Sequence, residues 1–262
     1  RLFSKKFLTA ETEMAEEWFE KTEFWRNFGP VMFDAERWAE APDVAGYVCS
    51  IAGLRKGDAV LDAGCGPGRI SVELAACGMS VTGVDLIQEE LDAAAESAAA
   101  EGVSVEFVRG DLRKFVRPEK FRCAVSLFTS FGYCADVFDD LLILKNIAAS
   151  LEPGGKFILE CTGRETAVMY FTEGEWFRRA GMTVLTRFEV VGAWEGLRSK
   201  WILISDSGER IEHEFVQRLY SAAELRGLLV SEAGFAHADV YGDFDLSPYD
   251  NNARTMVIVA EK

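Results

Sequence analysis

Strand-like and helix-like segments alternate along residues 59–161, and this rhythm constrains the fold more than any other feature of the sequence. The short apolar runs are separated by stretches with helical periodicity. Such alternation is typical of a parallel sheet with helices on both faces, in which ligands bind at the carboxyl ends of the strands. The predicted strands are 59–62, 80–84, 103–108, 124–128 and 156–161, and the predicted helices are 70–77, 89–100 and 136–151.

The rhythm changes after residue 161. Three long β-rich runs, 182–191, 197–205 and 210–220, follow one another with only short, turn-like connections, which predicts an inserted antiparallel meander of about three strands. A helix over 222–233 and strands over 238–242 and 255–260 then resume the earlier pattern. We therefore expect an α/β fold with a doubly wound, mostly parallel seven-stranded sheet and an inserted β-meander.

The aromatic-rich segment before the first strand, from Thr9 to Tyr47, is predicted to form two helices. With it, the chain divides into four predicted parts. These are an N-terminal helical lid (1–50), a cofactor-binding core (51–163), the inserted β-subdomain (164–220) and the C-terminal part of the core sheet (221–262).

Composition excludes several classes of function. The formal net charge is −15, with 43 acidic and 28 basic residues and no Lys/Arg cluster, so nucleic acid is not an expected partner. No apolar run reaches the length of a membrane span, and no leader peptide is recognisable, so we expect a cytoplasmic protein without a membrane partner. The six cysteines form no C-x-x-C pair and the two histidines lie far apart, which predicts free thiols and no metal site.

The glycine-rich segment Asp62–Gly68 follows the first strand and precedes a helix. Gly64, Gly66 and Gly68 allow a sharp turn and let a ligand lie against the backbone without interference from a Cβ atom. A dinucleotide-binding fingerprint would need its third glycine at position 69, where this chain has Arg69. Pro67 also removes an amide that a pyrophosphate would use.

Two further acids follow successive strands. Asp85 ends the second strand and can accept hydrogen bonds from both hydroxyls of an adenosine ribose. Asp111 follows the third strand and can receive the adenine amino group. Since parallel strands present their carboxyl ends at one edge, Asp62, Asp85 and Asp111 are expected to converge on one crevice.

The segments Val60–Arg69, Gly83–Asp85, Gly110–Asp111 and Leu151–Gly155 resemble the successive motifs of class I S-adenosylmethionine-dependent methyltransferases. The resemblance implies S-adenosylmethionine as cofactor. It also implies that Asp62 and the glycine turn face the methionine half, that Asp85 faces the ribose, and that Asp111 and Leu112 face the adenine. The cofactor-binding residues implied in this way are Asp62, Gly64, Cys65, Gly66, Gly68, Asp85, Leu86, Asp111, Leu112 and Phe128.

The loop after the fourth strand, 126–133, is similar to that of a broad branch of small-molecule methyltransferases with a helical lid and an inserted β-subdomain. It lacks both the N/D-P-P-Y/F element of base-modifying DNA methyltransferases and the acid with which metal-dependent O-methyltransferases hold a divalent ion. Transfer to a nitrogen needs a neutral amine and exclusion of water, whereas a hydroxyl acceptor usually needs a base. The candidates are Tyr133 and Glu160 for catalysis, Tyr133, Arg164 and Trp176 for the acceptor, and Trp25 to cover the cofactor.

Several alternatives stay open at this point. His213 alternates with Ile211 and Phe215, so we expect it to face the packed side of the meander rather than to act as a base. The acceptor is expected to be a small molecule, methylated at nitrogen or oxygen, and a homodimer is possible but cannot be derived. A nicotinamide-dependent oxidoreductase and a non-catalytic cofactor-binding protein are the other functions considered.

Overall fold

The computed structural model of the protein describes residues 17–262. Residues 9–16 of the first predicted helix lie outside this range. The described N-terminal segment contains a single 3₁₀ turn and three helices, where the sequence predicted two helices. The elements are the turn Trp18–Glu20, α1 (Thr22–Met32), α2 (Ala35–Ala39) and α3 (Ala41–Ala52).

Capping explains the additional helix boundary in this segment. The Asp34 side chain accepts a hydrogen bond from the Arg37 backbone N–H and so begins α2. Pro42 occupies the first turn of α3, where a missing N–H costs nothing. α3 packs on the main sheet through Val44, Ala45 and Val48, so this last helix of the predicted lid shares the core of the α/β domain.

The core alternates strands and helices as predicted from the sequence. Its elements are β1 (Ala59–Ala63), α4 (Arg69–Ala76), β2 (Ser80–Asp85), α5 (Gln88–Ala100), β3 (Glu106–Arg109), β4 (Phe121–Ser126), α6 (Val137–Ser150), β5 (Leu151–Cys161) and α7 (Arg164–Met169). After the insert come α8 (Ala222–Gly227), a π-helical turn (Leu228–Ala233), β10 (His237–Tyr241) and β11 (Met256–Glu261).

Seven strands form one sheet in the order β10-β11-β5-β4-β1-β2-β3. The neighbouring pairs among β1–β5 are parallel, and only β11 runs antiparallel to its two neighbours, which confirms the predicted fold class. Successive strand residues face opposite sides: Val60 packs with α3 and α4, whereas Leu61 packs with α6 and α8. The strand order reverses between β1 and β4, which opens a crevice at their carboxyl ends.

The inserted subdomain is a separate antiparallel sheet in the order β6-β7-β8-β9. Its strands are β6 (Gly174–Arg179), β7 (Met182–Val191), β8 (Gly196–Ile204) and β9 (Arg210–Arg218). The prediction of three strands missed β6, a short segment with three charged residues. A tight turn joins β6 to β7 through Ala180 and Gly181, whose φ angles of 49° and 74° are those of a type I′ hairpin.

One face of this inserted sheet packs against α1. Phe24, Phe28 and Val31 of the helix form a buried cluster with Val184 and Leu203 of the sheet. An ion pair of 2.8 Å between Arg179 and Asp34 lies near the same junction. The N-terminal helices and the insert therefore support each other, although more than 100 residues separate them in the chain.

The structure also bears on the cysteines and on the length and polarity of the helices. All six cysteines are free, as predicted. No helix among residues 17–262 combines the length and the apolar character needed to cross a membrane.

Candidate cofactor and acceptor site

A cavity opens at the carboxyl ends of β1–β4 and is covered by the N-terminal aromatic residues. The structure brings nearly all of the predicted cofactor-binding residues into its wall, with Tyr133 among them. The predicted residues that line it are Trp25, Asp62, Gly64, Cys65, Gly66, Asp85, Leu86, Asp111, Leu112, Phe128 and Tyr133. Their contact with the cofactor stays a prediction.

The glycine turn and Asp85 hold each other in place. Asp85 Oδ2 accepts the backbone N–H of Gly66 at 2.8 Å, and its Oδ1 accepts that of Ile87 at 3.0 Å. Gly66 has a φ of 51°, so its amide can point back toward the strand end. Burial raises the pKa of Asp85 and the backbone hydrogen bonds oppose that rise. The result is a half-buried carboxyl group with a fixed orientation at the cavity wall.

Gly68 is the one glycine of the turn that does not line the cavity. Its φ is 78°, and a Cβ atom there would lie 2.6 Å from the Cβ of Ala94 in α5. Its requirement for glycine therefore comes from the close approach of α4 and α5, not from a ligand.

Two further acids in the wall have perturbed pKa values. Asp62 is buried and accepts a hydrogen bond of 2.6 Å from Ser71 Oγ; burial raises its pKa to about 6 despite that bond. Glu90, at the start of α5, has its pKa raised to about 7, mainly by burial and then by the nearby charges of Asp85 and Glu89. The wall therefore gains negative charge as the pH rises through neutrality.

Asp111 links the core to the N-terminal segment. It accepts the side-chain Nε–H of Arg113 at 2.9 Å, and Arg113 also pairs with Glu20 at 2.5 Å. Although burial opposes it, these hydrogen bonds from Arg113 lower the pKa of Asp111. Asp111 is thus an ionised carboxylate with fixed orientation at neutral pH.

The loop after β4 has a strained backbone. Phe128 and Thr129 have φ angles of 54° and 60°, in the left-handed region that non-glycine residues rarely adopt. Glu160 holds this conformation: its Oε2 accepts the Phe128 N–H at 2.6 Å, and its backbone carbonyl accepts the Thr129 N–H at 3.3 Å. The other carboxylate oxygen accepts the Thr255 hydroxyl.

These contacts change the interpretation of Glu160. It was predicted as a catalytic group, but it does not line the cavity and both of its carboxylate oxygens are engaged by the protein. Because β4 and β5 pair in parallel, the end of β5 lies beside the end of β4. The β4 loop therefore lies between Glu160 and the cavity. The structure makes Glu160 a positioning residue for Phe128.

Tyr133 lies where the loop, the N-terminal segment and the insert meet. Its ring packs edge-on against Trp18 at 4.9 Å and against Phe215 of β9 at 5.8 Å between centroids. Trp25 lines the same cavity, with its Nε1–H donated to the Phe19 carbonyl at 2.8 Å. Aromatic rings from the N-terminal segment and the β4 loop therefore line the cavity, and Phe215 of the insert packs behind them.

The structure does not bring Arg164 and Trp176 to the cavity. Arg164 donates to the backbone carbonyls of Trp194 and Leu219 at 2.8 and 2.9 Å and pairs with Glu224, so it fastens the insert to the core. Trp176 lies on the edge strand β6 with 71% of its surface exposed. Neither residue lines the cavity as the structure describes it, so their contact with an acceptor stays a prediction.

His213 faces the packed side of the inserted sheet, as predicted. Its ring lies 4.4 Å from that of Phe24 and 5.6 Å from that of Trp18. Burial lowers its pKa, so it is neutral at pH 7.

Sequence reasoning missed three residues of the wall. Trp18 was counted only among the aromatic residues of the N-terminal segment, and Glu90 was not singled out. Arg69 was read only as the absence of a third fingerprint glycine, yet its side chain lines the cavity. The sequence did contain a signal for Arg69, because a charged residue directly after the glycine turn is expected near the ligand.

Comparisons with known proteins agree with this geometry. Residues 60–155 match the family described as a methyltransferase domain. The chain is 29% identical over 237 residues to the cypemycin N-terminal methyltransferase of a Streptomyces species, covering 83% of this chain and 89% of that protein. It is 30% identical over 117 residues to the ubiquinone biosynthesis O-methyltransferase of Coxiella burnetii, a match that spans 45% of this chain and only 49% of that relative.

Solved structures share the whole fold. An S-adenosylmethionine-dependent methyltransferase from Clostridium acetobutylicum superposes with a TM-score of 0.74 at 16% identity, covering 91% of this chain and 97% of the other. CalS10 from Micromonospora echinaspora, an amino pentose methyltransferase solved with S-adenosylmethionine bound, superposes with a TM-score of 0.63 at 20% identity, covering 97% of this chain and 100% of the other.

The fold, the cavity and these matches together define a methyltransferase that uses S-adenosylmethionine. Residues 60–155 carry its methyltransferase domain, and the chain shares the fold of solved S-adenosylmethionine-dependent methyltransferases. A nicotinamide-dependent oxidoreductase is thereby set aside.

Proposed function

We propose that the chain transfers the methyl group of S-adenosylmethionine to a nitrogen of a small-molecule acceptor, inside the cavity above β1–β4. The observation that carries the choice of nitrogen is the composition of the loop 127–134, which contains hydroxyl and thiol groups but no carboxylate or imidazole.

The cavity wall fits the cofactor. Asp85 presents a fixed carboxylate that can accept hydrogen bonds from the ribose hydroxyls, and Leu86 and Leu112 offer apolar surface for the adenine. Gly64 and Gly66 adopt positive φ angles and have no Cβ atom, so a ligand can approach the backbone of the β1 turn closely at these two positions. When bound, S-adenosylmethionine supplies a methyl group on a positively charged sulfur, which is an electrophile for a neutral nitrogen.

No group of the β4 loop can act as a base at neutral pH. Burial raises the pKa values of the Tyr133 phenol and of the Cys134 thiol, so both stay protonated. Asp140, farther along the wall, is paired with Arg218 at 3.1 Å and accepts the Tyr220 hydroxyl at 2.8 Å. An amine acceptor needs only to arrive in its neutral form, whereas a hydroxyl acceptor would need a base.

The aromatic cover of the cavity excludes water and orients the acceptor. Trp18, Trp25 and Tyr133 line the cavity, and Trp18 stacks on Phe215 of the insert at 4.7 Å. A wall of rings of this kind holds an acceptor in place and attracts a cationic sulfur. We propose that the N-terminal segment and the insert together select the acceptor.

The relatives are compatible with an amine acceptor. The names of the cypemycin N-terminal methyltransferase and of the sugar N-methyltransferase KedS8 both specify methylation at nitrogen. The ubiquinone relatives methylate oxygen, but they match only about half of their own length. The sequence is strongly acidic, with a formal net charge of −15, so the acceptor is not expected to be a nucleic acid. A cytoplasmic location stays a prediction.

A paired screen tests the proposal. Purified protein is incubated with S-adenosylmethionine and matched amine and hydroxyl compounds of the same carbon skeleton, and S-adenosylhomocysteine formation is measured. We expect turnover of amines only, with a rate that rises with pH toward the pKa of the amine. Asp85→Ala serves as the control without cofactor binding. Turnover restricted to hydroxyl compounds would overturn the choice of nitrogen.

Tyr133→Phe tests the pocket itself. Because Tyr133 is in the wall and Trp176 is outside it, Tyr133→Phe should raise the acceptor KM by about threefold to tenfold, the value of one hydrogen bond. Trp176→Ala should leave the KM unchanged. Equal effects of the two substitutions would show that the acceptor binds elsewhere.

A further inference from the structure

Arg69 is a buried cation at the wall of the cavity. It is the first residue of α4, directly after the glycine turn, and only 5% of its surface is exposed. Its guanidinium carbon lies 3.8 Å from the centroid of the Phe128 ring. One N–H is donated to the backbone carbonyl of Arg37, at the middle of α2. The head group is thus held between the glycine turn, the β4 loop and the N-terminal helices.

Arg69 has no ionic partner among residues 17–262. No carboxylate oxygen in this range lies within 4.0 Å of its nitrogens. The charges of Glu40, Asp62 and Glu160 act on it from farther away, and Asp62 is bonded to Ser71. Burial lowers its pKa to about 10, so it remains charged at neutral pH. A buried charge is retained at a considerable cost unless an opposite charge compensates it. A guanidinium offers five donors, of which this structure uses one.

The other cation of the wall is different. Arg113 is paired with Asp111 and with Glu20, so its charge is already compensated. Arg69 is therefore the cation of the described wall that is left for a ligand. Its planar donor fork suits a carboxylate better than any other common anion except phosphate.

Position in the sheet indicates which carboxylate. Asp85 and Asp111, the acids suited to adenosine, follow β2 and β3 on one side of β1. Arg69 and Phe128 lie on the other side of β1, toward β4. S-adenosylmethionine has its adenosine at one end and its only anionic group, the α-carboxylate of the methionine part, at the other. An adenosine that reaches β2 and β3 directs that carboxylate toward Arg69.

We propose that Arg69 binds the α-carboxylate of the methionine part of the cofactor. The carbonyl of Arg37 fixes the orientation of the guanidinium, so α2 takes part in the recognition through its backbone. The inference rests on the identity of the cofactor and not on the choice of acceptor. The role of Arg69 and the choice of a nitrogen acceptor can therefore be refuted separately.

Calorimetry with two ligands tests this role. S-adenosylhomocysteine has the carboxylate, whereas 5′-methylthioadenosine has the same adenosine and thioether without the amino-acid part. Arg69→Met should weaken S-adenosylhomocysteine binding by about 30- to 100-fold, the value of a charge-assisted pair, and leave methylthioadenosine binding within about twofold. Arg69→Lys keeps the charge but not the fork, and should weaken S-adenosylhomocysteine binding by about threefold to tenfold.

Arg113→Gln is the matched control, because it removes a cation from the same wall at the adenosine side. It should affect both ligands to the same degree. If Arg69→Met proves too unstable to titrate, the Arg69→Lys comparison decides. Equal weakening of both ligands by the Arg69 variants would mean that Arg69 only supports the fold of the site. If the Arg69 variants left S-adenosylhomocysteine affinity unchanged but raised the acceptor KM, Arg69 would bind a carboxylate of the acceptor and not that of the cofactor. Either result overturns the proposal.

Discussion

Replacing Glu160 should release the strained loop that follows β4. The carboxylate accepts the Phe128 N–H at 2.6 Å and the Thr255 hydroxyl, and so holds Phe128 in the left-handed region. The Thr129 N–H is donated to the backbone carbonyl of Glu160, which a substitution of the side chain keeps. A hydrogen bond to a charged group contributes about 1.5–3 kcal/mol, and the second bond adds about 1 kcal/mol. The cost of burying the carboxylate, visible as its raised pKa, offsets part of this sum.

We therefore expect Glu160→Ala to lower the free energy of unfolding by about 3 kcal/mol, or the Tm by about 6–12 °C in a chain of this size. The glutamine of Glu160→Gln can still accept the Phe128 N–H with its oxygen and donate its amide N–H to the Thr255 hydroxyl. This substitution should therefore lower the free energy of unfolding by only about 1 kcal/mol. Because Phe128 lines the cavity, methyl transfer by the alanine variant should also fall by about tenfold.

Urea denaturation at pH 7 and a thermal scan measure the stability change. Glu152→Ala is the matched control, since Glu152 lies on the same strand but is exposed and paired only with Arg122 at 3.4 Å. Its loss should cost less than about 1 kcal/mol. If Glu160→Ala cost no more than Glu152→Ala, the argument that Glu160 supports the loop would be refuted.

Three further predictions concern ligands. Asp85→Ala should weaken both S-adenosylmethionine and S-adenosylhomocysteine by about 30- to 1,000-fold in calorimetry, because the ribose loses charge-assisted hydrogen bonds; unchanged affinity would place the ribose elsewhere. The pKa of Glu90, raised by burial to about 7, means that its charge appears between pH 6 and 8. The preference for the cationic S-adenosylmethionine over S-adenosylhomocysteine should then rise by about fivefold over that range, and Glu90→Gln should abolish the rise. Turnover should survive EDTA, because the β4 loop has no acid to hold a metal; recovery only with Mg²⁺ would contradict this interpretation.

The cofactor side of the cavity could be predicted from the sequence because its signals are local. Asp62, Asp85 and Asp111 each end or follow one strand, and parallel pairing alone brings strand ends to a common edge. The glycine turn likewise needs only its own backbone geometry. The order of the seven strands, in contrast, depends on contacts between residues far apart in the chain, and no local signal determines it.

The acceptor side could not be predicted, because the orientation of the insert decides it. Arg164 follows β5 directly, yet its side chain turns to the carbonyls of Trp194 and Leu219, which are 30 and 55 residues away. Trp176 lies on an edge strand with 71% of its surface exposed, and that position depends on how the insert pairs its strands. Glu160 ends its strand beside the cavity, and only the bond to Phe128 shows that it lies behind the loop.

The cluster shared by α1 and the inserted sheet bears on how acceptor range can be inherited or transplanted. Phe24, Phe28 and Val31 share one buried cluster with Val184 and Leu203, so each piece covers apolar surface of the other. A chimera that receives only α1 or only the inserted sheet from a relative would expose a poorly matched apolar surface and fold poorly. The N-terminal helix and the inserted sheet should therefore be exchanged together, while the cofactor domain is left unchanged.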